Sequence, residues 1–244
     1  MRYVPEDQGA LTGPLDAILR GERLGADDAE ALMIALTDAE ADPRAAAAVL
    51  AGLRARGETG AEVLGFARGM RALARRPKLA TQGPLLDVVG TGGDGSGSLN
   101  VSTGVALLTA ACGQPVVKHG NRAISSRSGS ADVLEKLGLP LPLDEEAAGR
   151  CLERLGFTFL YAPHYHPAMK AIAGVRRALR VRTVFNLLGP LTNPAEPELL
   201  LMGAYDPDAA ALLAEALSGL PIRRAFVVHG EPGWDEATTA GPFL

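Results

Sequence analysis

The spacing of apolar side chains divides the chain into two kinds of segment. Over the first eighty residues, Leu32, Met33 and Leu36, then Val49, Leu50 and Leu53, then Val63, Leu64 and Met70 recur at helical intervals, as expected of helices with one buried face. Start signals accompany them: Asp27 with Glu30 and Thr59 with Glu62 have capping-box spacing, and Asp42 precedes Pro43, a cap followed by proline at the first helical position. Three helices are predicted there, packed together, with Arg54, Arg68 and Arg71 between the apolar stripes on solvated faces. After Pro77 the pattern changes to short β-prone runs, Leu85 to Val89, Pro115 to Val117, Phe157 to Tyr161, Leu199 to Ala204 and Arg224 to Val228, alternating with helices. That alternation predicts an α/β unit with a mostly parallel sheet. A further helix is expected from Pro167 to Arg180, with Ile172, Val175 and Leu179 on one face. The division that results is a helical domain at 1–80, joined by a segment at about 165–192, and an α/β domain at 81–164 and 193–244.

Composition narrows this picture. The chain has 244 residues, 47% of them hydrophobic, enough for one large domain or two modest ones with real cores. A formal net charge of -4 argues against a nucleic-acid binder that relies on overall positive charge, so a phosphate ligand must be held by local groups. No secretory signal is visible in residues 1–13, and the longest apolar stretches, Val105 to Cys112 and Leu199 to Ala204, fall far short of the ~20 residues that span a bilayer. A cytoplasmic protein without a membrane segment is expected, and Cys112 and Cys151 are read as buried thiols in a reducing compartment.

Two loops carry the candidate chemistry. The first runs from Asp87 through Gly90, Thr91, Gly92, Gly93, Asp94 and Gly95 to a helix beginning near Ser102 and Thr103. A strand, a glycine-dense loop and a helix start form an anion-binding layout, because bare backbone can approach a phosphate with its N–H groups. Gly90, Gly92 and Gly95 also satisfy the dinucleotide pattern, but the next strand leads into Lys118 and His119 rather than an acid that would hold a ribose hydroxyl. The triphosphate-binding pattern fails because Ser98 follows Gly97 where lysine is required. The second loop, Lys118 to Ser130, brings Lys118, Arg122, Arg127 and several hydroxyls to the start of another short helix containing Val133, Leu134 and Leu137, a local charge suited to several phosphate oxygens. His164, His166 and His229 have no zinc spacing. Asn100-Val101-Ser102 matches a glycosylation acceptor, which a cytoplasmic chain would not use.

The ordered strings Asp87 to Asp94, Asn100 to Thr103, Lys118 to Arg122 and Ser128 to Asp132, followed by His166 to Met169, Val175-Arg176, Arg182 to Asn186, Leu188 to Pro194 and Val228 to Gly230 ahead of Asp235-Glu236, resemble the anthranilate phosphoribosyltransferase family. The resemblance covers nearly the whole chain. It implies a small all-helical domain plus a larger α/β domain with a mostly parallel central sheet, a homodimer, and an active site at the hinge between the domains. It further implies that phosphoribosyl diphosphate (PRPP) is bound by Gly90, Gly93, Asp94, Ser98, Asn100, Val101, Ser102, Thr103, Lys118, His119, Gly120, Asn121, Arg122, Ala123, Ile124, Ser125, Ser126 and Ser130. Anthranilate would meet Gly90, Asn121 and Arg176, and Ser102, Asp235 and Glu236 would hold Mg2+.

The implied reaction displaces diphosphate from the anomeric carbon by the aromatic amine, through a transition state with oxocarbenium character. Arg176 lies beside the Ile172, Val175, Leu179 face, from which its guanidinium can grip a carboxylate and aim the amine. No residue is marked by its context as an obligatory general base. Two other readings fit less well: a pyrimidine nucleoside phosphorylase, disfavoured by the Gly-Thr-Gly-Gly-Asp and Lys-His-Gly-Asn-Arg strings, and a non-catalytic nucleic-acid-binding paralogue, disfavoured by the ligand motifs and the negative charge. The chain also stops at Leu244, soon after the acidic pair, where the family continues, so the α/β domain is expected to be C-terminally incomplete and less stable or less active than a longer homologue.

Overall fold

The computed structural model describes residues 9–80, 83–92, 95, 97, 99–123, 128–231, 233–239 and 241–244. It opens with four helices, α1 (Thr12–Leu19), α2 (Ala26–Leu36), α3 (Pro43–Arg56) and α4 (Gly60–Ala72). Two of the expected caps are present. The Asp42 side chain accepts from the Arg44 N–H, and Thr59 and Glu62 form a reciprocal capping box. The third is corrected: α2 starts at Ala26 after Gly25, with no side-chain cap, so Asp27 lies within the first turn, where its charge favours the helix dipole instead. Arg71 is also corrected. It is buried at 6% exposure and donates to the Leu191 carbonyl at 2.7 Å, a partner 120 residues away.

The remaining elements are β1 (Leu86–Gly90), α5 (Val101–Ala111), β2 (Val116–Gly120), α6 (Ser130–Lys136), α7 (Glu145–Leu155), β3 (Phe157–Tyr161), α8 (Ala162–Tyr165), α9 (Met169–Leu179), α10 (Phe185–Leu188), β4 (Leu199–Gly203), α11 (Pro207–Leu217) and β5 (Arg224–Val228). The five strands form one wholly parallel sheet in the order β3-β2-β1-β4-β5. β2 runs on to Gly120 in register with β3, pairing Lys118 with Phe159 and His119 with Leu160. Lys118 and His119 are therefore strand residues rather than members of the loop that follows. The thiols differ from expectation as well: Cys112 is exposed and Cys151 half-buried, and both are free.

Strand alternation divides the core into layers. Val88 packs with Ala106, Ala110 and Leu134 under α5 and α6, whereas Val89 meets the opposite layer. That layer is continuous with the helical bundle: Leu50 and Phe66 share one apolar cluster with Ile172 and Val175 of α9, Phe185 of α10, Leu200 and Met202 of β4, and Leu213 of α11. The helical segments α9 and α10 thus pack against the first four helices. This stacking leaves the carboxyl ends of β1, β2 and β4 open, the place where parallel sheets collect ligands. Among the described residues no helix is long and apolar enough to cross a membrane.

Candidate functional site

Glycines at the ends of neighbouring strands shape the site. Gly90 and Gly203 are register partners, and Asp235 sits directly on both. A Cβ on Gly90 would come within 2.5 Å of Asp235 Oδ2, and one on Gly203 within 1.6 Å of the Asp235 carbonyl oxygen. A side chain at Gly203 would force the Asp235 backbone to shift, and one at Gly90 would push the Asp235 carboxylate aside. Seated there, the Asp235 carboxylate accepts the Gly92 N–H at 3.0 Å and is almost enclosed, at 9% exposure.

Across this floor lies a cavity of about 460 Å³, a volume typical of small-ligand sites. Its walls include Gly90, Asn100 to Thr103, Lys118 to Ala123, Ser130, Asp235 and Glu236, residues the sequence named from several separate stretches. Gly93, Asp94, Ser98, Ile124, Ser125 and Ser126 lie outside the described residues. The second loop folds back on the start of α6, where Asp132 accepts from the Ala123 and Gly129 amides at 3.0 and 2.8 Å. Arg122 lines the cavity, but its guanidinium is held by Glu135 at 2.5 and 2.6 Å and by Asp132 at 3.1 Å, an arrangement that braces the loop.

Lys118 is the buried cation of this cavity. Its ammonium donates to the Val88 carbonyl at 2.5 Å and lies 3.5 Å from Ser102 Oγ. Burial pulls its pKa down, opposed by the negative charges of Asp87 and Glu236. Conversely, burial pushes the Asp87 carboxyl up to about 6, restrained by Lys118 and by a hydrogen bond from Asn193.

A second cavity, of about 450 Å³, adjoins the first, and the two share Val89, Gly90, Thr91, His119, Gly120 and Asn121. Its character is different: Met70, Met169, Ala173, Phe185, Leu188 and Pro190 supply an apolar lining, with Arg176 as a cation in the wall. The Arg176 guanidinium stands 4.9 Å from the centre of the Phe185 ring, a favourable cation–π approach, and its pKa is lowered by burial alone. Among the described residues no carboxylate pairs with it, so the wall is suited to receive an anionic ligand.

His119 and His166 also face this region, their ring centroids 5.0 Å apart. Burial lowers them to about 3 and about 4 respectively, so both are neutral near pH 7. The sequence did not single out His166, Phe185, Pro190, Arg182 or Tyr205 as site residues. Arg182, which stacks over the Tyr205 ring at 4.1 Å, lines the polar cavity with it. Several of these lay inside the quoted motifs, but nothing local assigns them to a wall built from distant segments. Hard oxygen donors suited to Mg2+, the Ser102 hydroxyl and the Asp235 and Glu236 carboxylates, border the polar cavity together. Among the described residues no group of three or more His, Cys, Asp or Glu is placed so that it could hold a metal ion by itself.

Residues 82–243 match the α/β domain of the glycosyl transferase family and residues 15–74 its helical bundle domain. The chain is 49% identical to the anthranilate phosphoribosyltransferase of Desulforudis audaxviator, over 93% of this chain and 66% of that protein. It is 48% identical to that of Pelotomaculum thermopropionicum, over 96% and 68%. Among solved structures, anthranilate phosphoribosyltransferase from Thermus thermophilus superposes with a TM-score of 0.86 at 50% identity, covering 92% of this chain and 67% of that one. The Saccharomyces cerevisiae enzyme in complex with PRPP and Mg gives 0.82 at 26% identity, covering 94% and 68%. The chain spans about two thirds of the length of these relatives.

Proposed function

Because this chain belongs to the anthranilate phosphoribosyltransferase family, we propose that it transfers the phosphoribosyl group of PRPP to the amine of anthranilate, giving N-(5-phosphoribosyl)anthranilate and diphosphate, a step of tryptophan biosynthesis. The observation that carries this reading is the pair of adjoining cavities, one polar and lined by a buried ammonium and two carboxylates, the other apolar with a cation in its wall. A charged sugar diphosphate suits the first and a planar aromatic acid the second. Their common boundary is where the amine would meet the anomeric carbon.

In this proposal Gly90, Asn100 to Thr103, Lys118 to Ala123 and Ser130 hold PRPP, joined by Gly93, Asp94, Ser98, Ile124, Ser125 and Ser126. Gly90, Asn121 and Arg176 meet anthranilate. The amine nitrogen bonds to the anomeric carbon as the carbon–oxygen bond to diphosphate breaks, that electron pair leaves with the diphosphate, and the nitrogen then loses a proton. Mg2+, held by Ser102, Asp235 and Glu236, would neutralise charge on the leaving group. Arg176 grips the carboxylate and so points the weakly basic amine, and orientation of this kind can supply on the order of 7–11 kcal/mol of barrier reduction. Lys118 presents fixed positive charge to the phosphates from a dry site, where it acts more strongly than in water. No general base is assigned. The helical domain at 1–80 with the segment 165–192, and the α/β domain at 81–164 and 193–244, form the two halves of a protomer, paired as a cytoplasmic homodimer.

The test is to mix the chain with anthranilate, PRPP and Mg2+ and follow the loss of anthranilate fluorescence. Turnover is expected, with Arg176→Ala and Asp235→Ala each slowing it by about 100-fold or more. Native-like rates in either variant would remove that residue from its role, and no turnover by the unaltered chain would overturn the reading.

A further inference from the structure

Beneath the boundary between the two cavities lies a set of buried polar contacts to which none of the roles above assigns a purpose. Asn193 uses its whole amide: Nδ2 donates to Asp87 Oδ2 and to the Val117 carbonyl, each at 2.8 Å, and Oδ1 accepts the Ala195 N–H at 2.9 Å. Asp87 is fully buried, and its other oxygen accepts the His119 backbone N–H at 3.4 Å. The segment at 189–195 is thereby tied to β1 and β2 at once. Four residues before Asn193, the Gly189 carbonyl lies 3.3 Å from His119 Nδ1.

A carbonyl oxygen can only accept, so this contact requires the proton of the neutral imidazole to be on Nδ1. His119 Nε2 then carries the lone pair. That atom is buried and has no hydrogen-bond partner among the described residues, and His119 is one of the residues that line both cavities. An unpartnered buried acceptor at a cavity wall is a cost to the empty protein that a bound N–H donor would relieve. The Nδ1–H form is also the less favoured one for free histidine in water, so something in the fold must select it.

We propose that Asp87 and Asn193 are positioning residues: by clamping the 189–195 segment to β1 and β2 they hold the Gly189 carbonyl against His119 and keep His119 Nε2 as an acceptor at the wall the two cavities share. The inference rests on the proposed transfer only for its purpose, which is to present an acceptor to the amine of the aromatic substrate. Its structural content stands without catalysis.

The experiment uses the 244-residue chain labelled with 15N-histidine; its four histidines are resolved by long-range proton–nitrogen correlation, and His119 is assigned with His119→Gln. In the unaltered chain His119 is expected as the Nδ1–H tautomer at pH 7. Asn193→Ala is expected to shift it towards Nε2–H and to raise the KM for anthranilate by about ten-fold, the worth of one hydrogen bond, with little change in the KM for PRPP. Asp87→Asn, which keeps the side-chain volume, is expected to move both readouts in the same direction, and it serves if Asn193→Ala does not fold. Finding Nε2–H in the unaltered chain would overturn the proposal whatever the variants do. So would a folded variant whose tautomer and anthranilate KM are unchanged. A chain without turnover whose tautomer follows the clamp would refute the transferase reading and leave the clamp standing.

Discussion

Glu62 in the helical bundle and Asp87 in the sheet are both carboxylates fully removed from solvent, yet their surroundings serve different ends. Glu62 closes on itself. It accepts from the Leu24 and Thr59 amides at 2.8 and 2.9 Å and pairs with Arg56 at 2.5 Å, with side-chain exposures of 10% for the arginine and 0% for the acid. Every partner is local to the bundle. Asp87 draws its partners from β2 and from the segment after α10, and it opposes a buried lysine at a cavity wall. A buried carboxylate whose partners all belong to one bundle is a structural node, whereas one set against a buried lysine at a cavity wall is poised for function.

The largest expected effect breaks the first node. Glu62→Ala takes the carboxylate from the Arg56 guanidinium, which among the described residues keeps only the Glu22 carbonyl, and from two backbone N–H groups, and removal of one partner from a buried pair costs about 3–5 kcal/mol. For a chain of this size that corresponds to a fall in melting temperature on the order of 10 °C. PRPP affinity, measured below the transition, is expected to be unchanged. If the substitution instead weakened PRPP binding while the protein stayed equally stable, the separation of the two nodes would fail.

Next comes pH, where the two kinds of buried group in the site pull in opposite directions. Asp87 is pushed up to about 6, above the unfolded value near 3.9, so its contribution to stability is present at low pH and is lost as pH rises to 6. His119 and His166 are lowered to about 3 and about 4, below the unfolded value near 6.5. Their contribution is complete above pH 6.5 and is lost as pH falls towards 4. Two imidazoles outweigh one carboxyl, so the net change from pH 6.5 to 4.5 is a loss on the order of 3 kcal/mol. Melting curves across that range should fall with acid, and Asp87→Asn, which removes the opposing group, should make the fall steeper. A level profile would mean that the imidazoles are not held neutral.

The bundle was more legible in the sequence than the site, and the reason is range. α3 and α4 announce themselves through Asp42-Pro43 and the Thr59–Glu62 box, contacts spanning two or three residues. The polar cavity was nearly as readable, because glycine-rich and cationic loops keep their ligand groups contiguous. What escaped was set by distance along the chain. Arg71 looks like a surface residue until the Leu191 carbonyl arrives from 120 positions away, and β2 looks shorter than it is because Lys118 and His119 are polar until β3 pairs with them. The apolar cavity gathers Met70, His166, Phe185 and Pro190, and only Arg176 had been picked out among its residues that do not also line the polar cavity.

Removing the cation opposite Asp87 should give an intermediate effect of the functional kind. Lys118→Met keeps the aliphatic stem but takes a charged donor from the polar cavity. Hydrogen bonds to charged groups contribute about 1.5–3 kcal/mol, so PRPP is expected to bind roughly 10- to 100-fold more weakly by calorimetry. Anthranilate binding, in a cavity that Lys118 does not line, should change far less. Equal losses for both ligands would indicate general collapse of the floor.

The smallest effect belongs to a carboxylate that is neither enclosed nor beside a desolvated partner. Glu135 receives the Arg122 fork at 2.5 and 2.6 Å, which is geometry as good as that of Glu62, but the two side chains are 31% and 45% exposed. Exposed pairs contribute roughly 0–1 kcal/mol however well they are aligned, since water competes for both ends. Glu135→Gln should therefore shift the melting temperature by no more than about 2–4 °C. It also loosens the restraint on a guanidinium that lines the polar cavity, so PRPP affinity should hold or improve. A destabilisation matching that of Glu62→Ala would show that bond geometry, rather than burial, sets what a carboxylate contributes in this fold.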